Sequence, residues 1–190
     1  MNSNKALNEK LREERISRRV IYEGDVLNVV RDEVRLPNGS VGVREMCLHV
    51  GAVCIIPLLD DETVLMERQY RYAHERVIFE IPAGKLNYKE EPPLEAAKRE
   101  LREETGAIAK KFTYLGELIP TPAIVSERIQ MFLAEDISFT DRELDEDEFL
   151  EVERVPLKEL YDMAMRGEIS DAKTLVTVLK VWQMRHPSGI

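Results

Sequence analysis

The chain has 190 residues, with 27 Lys or Arg against 36 Asp or Glu, so its formal net charge at pH 7 is −9. Its 44% hydrophobic residues can form a buried core, which excludes an intrinsically disordered chain, and no apolar run approaches the roughly 18 residues of a membrane span. The acidic balance argues against nucleic acid as the main partner, because binding to its phosphates depends on Lys and Arg.

The first fifty residues predict a small β unit that follows a helix. The segment 4–17 is polar and has apolar residues near helical spacing, which predicts a weakly amphipathic leading helix. Strands are predicted over 26–36 and 41–49, and Asn38-Gly39 between them supplies the positive φ that a tight turn needs. We therefore expect residues 1–50 to form an N-terminal extension of helix and β-hairpin.

Residues 51–190 predict one catalytic domain in which strands and helices are mixed without a βαβ repeat. Apolar runs between turn residues predict the strands, and a proline in the first turn with a glycine after the last favours the first helix. The predicted strands are 53–59, 63–71, 77–82, 112–119, 127–134 and 149–155, and the predicted helices are 93–105, 157–165 and 171–184.

The N-terminus and the cysteines indicate the cellular compartment. Residues 1–19 are charged where a signal peptide would be apolar, so we expect a cytoplasmic protein. Cys47 and Cys54 lie in apolar, strand-like surroundings, and with three scattered histidines they do not form a zinc-type ligand set. We interpret both cysteines as reduced core residues.

The stretch 141–151 is a marked shift in composition, since seven of its eleven residues are acidic. We interpret it as a solvated loop that leads into an edge strand. A metal site is the alternative interpretation, because clustered carboxylates attract divalent cations.

Three glutamates on the predicted helix 93–105 are the first candidates for chemistry. At 3.6 residues per turn, Glu100, Glu103 and Glu104 lie within about 100° of one another. Clustered carboxylates repel one another unless a cation neutralises them, and Mg²⁺ or Mn²⁺ is the expected match for oxygen ligands. A solvated helix face with ion pairs such as that between Arg99 and Glu103 is the alternative. An adjacent apolar stripe is expected to pack on the sheet: Leu94, Ala97 and Leu101.

The string from Gly84 to Gly106 decides between these alternatives. It resembles the Nudix box, whose pattern is G-x5-E-x7-R-E-U-x-E-E-x-G-U, where U is a bulky apolar residue. The segment 99–106 matches the second half of this pattern at every specified position, and Glu91 precedes Arg99 by the required spacing. The sequence is therefore identified as resembling the Nudix hydrolase family.

Two positions depart from the Nudix pattern. Six residues instead of five separate Gly84 from Glu91, so either Glu90 or Glu91 fills the place of the first glutamate. Ala107 stands where the last bulky apolar residue is expected. Both departures lie outside the glutamate cluster, so we expect the metal site to be retained.

The resemblance implies a fold, a cofactor and a set of ligands. The fold would be α/β (α+β in some schemes), an α/β/α sandwich around a mixed sheet, with an N-terminal β extension that exchanges contacts across a homodimer. The cofactor would be two or three Mg²⁺ ions, with Mn²⁺ as a substitute. Glu100, Glu103, Glu104 and the backbone carbonyl of Ala83 would be the ligands, and Arg99 would hold Glu103 in place.

Segments outside the box resemble the ADP-ribose pyrophosphatase sub-group of the family. They are the segments 68–71, 79–85, 126–128 and 167–174, together with Pro122. Pro122 lies sixteen residues after Gly106, the last glycine of the box. This resemblance implies hydrolysis of the pyrophosphate bond of ADP-ribose to AMP and ribose 5-phosphate. A hydrolase of another nucleoside diphosphate sugar, carrying GDP or UDP, is the nearest alternative. A non-catalytic domain that senses ADP-ribose is the alternative from another class, and it is disfavoured because the glutamates are intact.

The sub-group also implies roles for residues outside the box. Glu127 would activate the attacking water, with Glu103 as the next candidate for that role. Tyr22 and Arg71 would contact the adenine and a phosphate. Arg44 and Glu45, on the second hairpin strand, would reach the site of the partner in a homodimer.

Overall fold

The computed structural model describes residues 2–144 and 148–187, with side chains from Lys5 onward. The chain divides into two compact units. The first unit joins Met1–His49 to Thr121–Glu127, and the second contains the rest of the chain. No helix within the described ranges is both long and apolar enough to cross a membrane.

The first unit is built on an antiparallel sheet with the strand order β1-β2-β3. Its elements are α1 (Asn2–Leu11), β1 (Glu14–Glu23), β2 (Asn28–Arg35) and β3 (Val41–Leu48). The predicted leading helix is too long, because residues from Glu14 onward pair with β2. Strand β1 was not predicted, since every one of its residues is exposed and no apolar alternation marks it.

The second unit contains seven strands and three helices within the described residues. They are β4 (Ala52–Pro57), β5 (Thr63–Arg71), β6 (Arg76–Glu80), β7 (Ala83–Lys85), α2 (Pro93–Thr105), β8 (Ala107–Leu118), β9 (Ile129–Phe139), β10 (Leu150–Pro156), α3 (Leu157–Met165) and α4 (Ala172–Arg185). One sheet has the order β7-β4-β9-β8 and is mixed, because β4 and β9 are parallel while the other pairs are antiparallel. The other sheet is antiparallel, in the order β10-β5-β6.

Strand β4 is buried on both faces, which places it at the centre of the second unit. Its side chains alternate between two cores, as the period of two in a strand requires. Val53 and Ile55 pack in the core that contains Leu101 of α2. Cys54 and Ile56 pack in the core with residues of α3 and α4. Helices therefore cover both faces of the mixed sheet, which confirms the predicted α/β/α sandwich.

The predicted elements of the second unit differ from the structure mainly at strand ends. The helices over 93–105 and 157–165 have the predicted bounds. Strand β8 begins five residues before the prediction, because it continues directly from the left-handed Gly106 that ends α2. The short strand β7 lies between the predicted strand 77–82 and the predicted helix 93–105, where no element was predicted, and pairing with β4 holds it extended. Of the acidic stretch 141–151, residues 145–147 lie outside the described residues.

Both cysteines are free, as predicted, but only one of them lies in the core. Cys54 is fully buried, and burial raises the pKa of its thiol to about 12. Cys47 is only partly buried, so the prediction of two core cysteines is wrong for this residue.

Candidate active site

Helix α2 presents two buried carboxylates at the edge of the core. The helix begins at Pro93, which suits the first turn, and ends before Gly106, whose φ of 70° lets its N–H donate to the Arg102 carbonyl. Glu100 and Glu104 are one turn apart and 8% and 3% exposed. Buried carboxylates are rare unless they are paired, so their position indicates a function.

The apolar stripe of α2 differs in one position from the prediction. Ala97 and Leu101 are buried against the sheet as expected, and Ala96 joins them. Leu94 is 37% exposed, so the prediction that it is buried is wrong. The small side chains of two adjacent alanines bring the helix close to β4, and Leu94 lies to one side of that contact.

Arg99 gathers three glutamates around its guanidinium group. Its Nη1 donates to Glu100 Oε1 at 2.8 Å and to Glu103 Oε2 at 3.1 Å. Its Nε lies 3.5 Å from Glu91 Oε1. Its Nη2 donates to the Lys85 carbonyl at 3.3 Å. This residue therefore orients the carboxylates and fixes the loop that precedes α2.

The contacts of Arg99 distinguish the two glutamates that the sequence left open. The carboxylate of Glu91 is buried, faces Arg99 and accepts a hydrogen bond from the Asn87 N–H at 2.6 Å. Glu90 is exposed. Glu91 thus has the environment of a site residue, and the extra residue of this chain lies in the loop before it.

The segment Ala83-Gly84 lies directly against the carboxylates of α2. The Ala83 N–H donates to Glu104 Oε2 at 3.1 Å. A Cβ atom at Gly84 would lie 2.0 Å from the carboxyl carbon of Glu100, so only glycine permits this approach. The register of β7 against β4 holds both residues in place, since Ala83 pairs with Cys54.

Burial raises the affinity of these carboxylates for protons. It lifts the pKa of Glu100 to about 7, although Arg99 opposes the shift. Burial is also the main cause that raises the pKa of Glu104 well above its ordinary value, and the negative charge of Glu67 is the next. Burial and the charge of Glu80 lift the pKa of Glu67 to about 8. The charged forms of these carboxylates are therefore disfavoured, mainly because the side chains are removed from water.

This donor set fits hard divalent cations. Carboxylates and a backbone carbonyl are the ligands that Mg²⁺ and Mn²⁺ prefer, and a cation would remove the repulsion between Glu100 and Glu104. Within residues 2–144 and 148–187, no three Asp, Glu, His or Cys side chains are already gathered as a metal-binding group. Arg99 instead pairs with two of the carboxylates, Glu100 and Glu103.

Glu148 acts electrostatically on the carboxylates of α2, which the sequence analysis did not predict. It lies in the acidic stretch that was interpreted as a solvated loop. Its negative charge nevertheless raises the pKa of both Glu100 and Glu104. The clustering of acidic residues in the sequence was the only signal that could have indicated this effect. It could not show which of them act on α2, because that depends on the path of the chain before β10.

A second charged network holds the strands that lead into the site. Arg71 Nε donates to Glu80 Oε1 at 2.7 Å, and the buried carboxylate of Glu80 also accepts from Lys173. Asp171 caps α4 by accepting from the Thr174 N–H at 2.9 Å. The Thr174 hydroxyl in turn accepts from the Ile81 N–H at 2.9 Å. The segment 167–174 thus anchors the connection between β6 and β7.

Four predicted site residues belong to the first unit. Tyr22 is exposed on β1. Arg44 pairs with Glu13 on one side of β3, and Glu45 accepts from Arg31 at 3.0 Å on the other. Glu127 Oε1 lies 3.7 Å from His49 Nε2. In the second unit, five of the predicted residues occur together: Ala83, Arg99, Glu100, Glu103 and Glu104. The sixth, Arg71, pairs with Glu80 in the other network.

Comparisons with known proteins agree with this geometry. Residues 48–178 match the NUDIX domain family, and residues 13–46 match the nucleoside diphosphate sugar hydrolase N-terminal domain. The chain is 41% identical to ADP-ribose pyrophosphatase of Bacillus subtilis over 88% of this chain and 91% of that protein. It is 37% identical to methanol dehydrogenase activator of Bacillus methanolicus, over 89% and 92%.

A solved structure of an ADP compounds hydrolase shares the fold. It superposes with a TM-score of 0.80 and 25% sequence identity, covering 92% of this chain and 95% of that one. One family assignment explains two findings. They are the sequence match over most of the chain and the arrangement of Gly84, Arg99 and the buried glutamates. The chain belongs to the NUDIX domain family.

Proposed function

We propose that this protein hydrolyses the pyrophosphate bond of ADP-ribose and releases AMP and ribose 5-phosphate. The observation that carries the proposal is the pair of buried carboxylates, Glu100 and Glu104, held against Ala83-Gly84 on the helix that matches the Nudix box. The similarity to an ADP-ribose pyrophosphatase over nearly the whole chain supports the substrate.

The reaction depends on divalent cations, for which we propose two or three Mg²⁺ ions, replaceable by Mn²⁺. Glu100, Glu103, Glu104 and the Ala83 carbonyl would hold them. Bound there, they would neutralise the negative charge of the pyrophosphate and would make a water more nucleophilic. Arg99 keeps Glu100 and Glu103 in position for this role, as groups behind metal ligands commonly do.

We assign Glu127 as the general base, on the resemblance of 126–128 to the corresponding loop of the sub-group. A base must reach the water that it deprotonates, and a loop can deliver it on closure. Glu103 is the next candidate for this role, and it is held by Arg99 on α2. Glu148 is a further residue to test, because its charge acts on both buried carboxylates of α2. Arg71 contacts a phosphate in this proposal, with Glu80 orienting its guanidinium group.

We further propose that the helix and hairpin of residues 1–50 are the dimerisation unit of a cytoplasmic homodimer. Strand β1 supports this, since it is exposed along its length and presents apolar side chains. The exposed residues include Ile16, Val20, Ile21 and Tyr22. Tyr22 would stack on adenine, and Arg44 and Glu45 would act in the partner's site.

A second substrate class is also favoured by a specific match. Residues 13–46 match an N-terminal domain of nucleoside diphosphate sugar hydrolases, so a GDP- or UDP-sugar is the alternative substrate. The chemistry would be the same, and only the contacts to the base and the sugar would differ.

The test is a substrate panel in which the nucleoside monophosphate products are separated by chromatography and measured directly. ADP-ribose, GDP-mannose, UDP-glucose and 8-oxo-dGTP would each be incubated with Mg²⁺ and with EDTA. The proposal expects turnover to be greatest with ADP-ribose and to stop with EDTA. Preference for another nucleotide sugar would replace the substrate and keep the mechanism. No turnover of any compound, with retained binding of ADP-ribose, would support the sensing alternative.

A further inference from the structure

Lys173 is a buried cation of the segment 167–174 to which the proposed mechanism gives no role. It lies in the first turn of α4, and only 12% of its side chain is exposed. Its Nζ donates to Glu80 Oε2 and, at 3.1 Å, to Asp171 Oδ1. Buried ammonium groups are rare unless they are paired, so these two carboxylates explain how the charge is retained in the interior.

Glu80 lies between Lys173 and Arg71 and connects them. Its side chain is 3% exposed, and its Oε1 accepts from Arg71 Nε at 2.7 Å while its Oε2 accepts from Lys173. Each carboxylate oxygen therefore has its own cationic donor. Lys173 occupies the oxygen that a two-pronged pair between arginine and carboxylate would use. The side chain of Arg71 keeps 41% of its surface exposed, so it remains accessible to an anion.

Thr174 fixes the main chain next to Glu80. Its hydroxyl accepts from the Ile81 N–H at 2.9 Å, and both residues are fully buried. Glu80 is thus held through its side chain by Lys173 and through the next peptide by Thr174. Displacing it would break buried hydrogen bonds, which is costly. The group that pairs with Arg71 is therefore anchored to the start of α4.

We propose that Lys173 is a positioning residue for Arg71 in the binding of a substrate phosphate. Because Lys173 occupies one oxygen of Glu80, Arg71 is held through Nε and its other nitrogens can donate to the diphosphate. Without Lys173, both oxygens of Glu80 would draw the guanidinium group into a two-pronged pair and turn it away from the substrate. This inference rests on the proposed function, which assigns Arg71 to a phosphate.

Steady-state hydrolysis by Lys173→Met, with a substrate that the wild type turns over, tests the proposal. KM should rise by about tenfold with kcat nearly unchanged, the scale of one hydrogen bond to a charged group. Lys173→Arg keeps a cation beside Glu80 and should restore part of the affinity. Lys111→Met is the matched control, because Lys111 also shares a glutamate with an arginine. It lies 2.7 Å from Glu135, which pairs with Arg185, and its loss should leave KM unchanged.

Joint replacement of the buried pair, Glu80→Leu with Lys173→Met, keeps the test valid if the single variant folds poorly. It leaves no buried charge without a partner, so the protein should fold. KM should again rise, because Arg71 is no longer held. In an Arg71→Ala background the same replacement should leave KM unchanged, since the effect passes through Arg71.

The outcomes separate the role of Lys173 from the proposed function. An unchanged KM in Lys173→Met and in the joint replacement would overturn the role of Lys173, while the activity of the wild type would stand. An equal rise in KM with and without Arg71 would also overturn it, because the effect would then come from the fold in general. Absence of hydrolysis by the wild type would overturn the proposed function and this inference with it.

Discussion

The backbone of Gly84 lies so close to the Glu100 carboxylate that a Cβ atom at position 84 would lie 2.0 Å from both its carboxyl carbon and Oε1. Gly84 does not have a positive φ, so the requirement for glycine comes from this contact and not from the backbone conformation. Gly84 and Glu100 of the Nudix box therefore depend on each other structurally, although sixteen positions separate them in sequence.

Gly84→Ala should displace the Glu100 carboxylate and lower hydrolysis by about tenfold or more at limiting Mg²⁺. The change is measured as turnover of ADP-ribose across a Mg²⁺ titration. Gly167→Ala is the control, because Gly167 has a φ of 75° with no atom within 4 Å of an added Cβ. That variant should lose some stability and keep its Mg²⁺ dependence. Equal effects of both substitutions would show that the contact with Glu100 is unimportant.

Glu104→Gln and Glu103→Gln should each reduce kcat/KM by about 100-fold or more, because each removes a charge that would hold a cation. Gln at 104 still accepts from the Ala83 N–H, so the melting temperature should not fall. Glu95→Gln, in the first turn of the same helix and paired with Lys98, serves as the control. Turnover like that of wild type in both site variants at limiting Mg²⁺ would contradict the assignment of the ligands.

Arg99→Lys should lower kcat/KM by about tenfold or more, even though the positive charge is retained. A lysine ammonium lacks the planar fork that contacts Glu100, Glu103 and the Lys85 carbonyl together. Arg102→Lys is the matched control. Arg102 lies three residues after Arg99 on the same helix, and its main partner is Glu143. A steeper Mg²⁺ requirement should accompany the loss of rate in Arg99→Lys alone.

Glu127→Gln should lower kcat and leave Mn²⁺ affinity nearly unchanged, since a general base moves a proton and does not hold the cation. Glu148→Gln provides the comparison. For both variants, single-turnover experiments measure the rate of hydrolysis, and a separate titration measures the affinity for Mn²⁺. If Glu127→Gln turns over like wild type while Glu148→Gln does not, the base lies in the acidic stretch 141–151. If neither variant is slowed, Glu103 is the remaining candidate.

The metal-free protein should lose stability as pH rises from about 4.5 to about 8. Burial lifts the pKa of Glu100 to about 7 and that of Glu67 to about 8, both above their ordinary value of 4.5. In that interval the folded state binds more protons than the unfolded state, so the free energy of unfolding decreases with pH. Calorimetry in EDTA at about pH 5.5 and about pH 8.5 measures the change.

Saturating Mg²⁺ should reduce or reverse this pH dependence, because cation binding replaces the protons on the carboxylates. Glu67→Gln should weaken the dependence in the upper part of the interval. A melting temperature that rises with pH in EDTA would contradict the environments described for Glu67 and Glu100.

The sequence by itself determined the elements that local pattern controls. Helix α2 has the predicted bounds, because Pro93 and Gly106 fix its ends whatever packs around it. The spacing of Glu100, Glu103 and Glu104 was enough to predict a shared helix face, since that face depends only on the helical repeat. The mixed sandwich followed from the resemblance to the family and from the apolar run of β4.

Only the tertiary structure decided which groups outside α2 join the site. Glu91 and Glu90 are adjacent in sequence, and the contact with Arg99 distinguishes them. Glu67 and Glu148 are distant from the box in sequence, yet the charges of both act on Glu104, and pairing of β10 with β5 brings their segments into one sheet. Local pattern cannot encode such proximity, because it arises from strand register and long-range packing. The raised pKa values of the buried carboxylates therefore depend on the fold as a whole and not on any one motif.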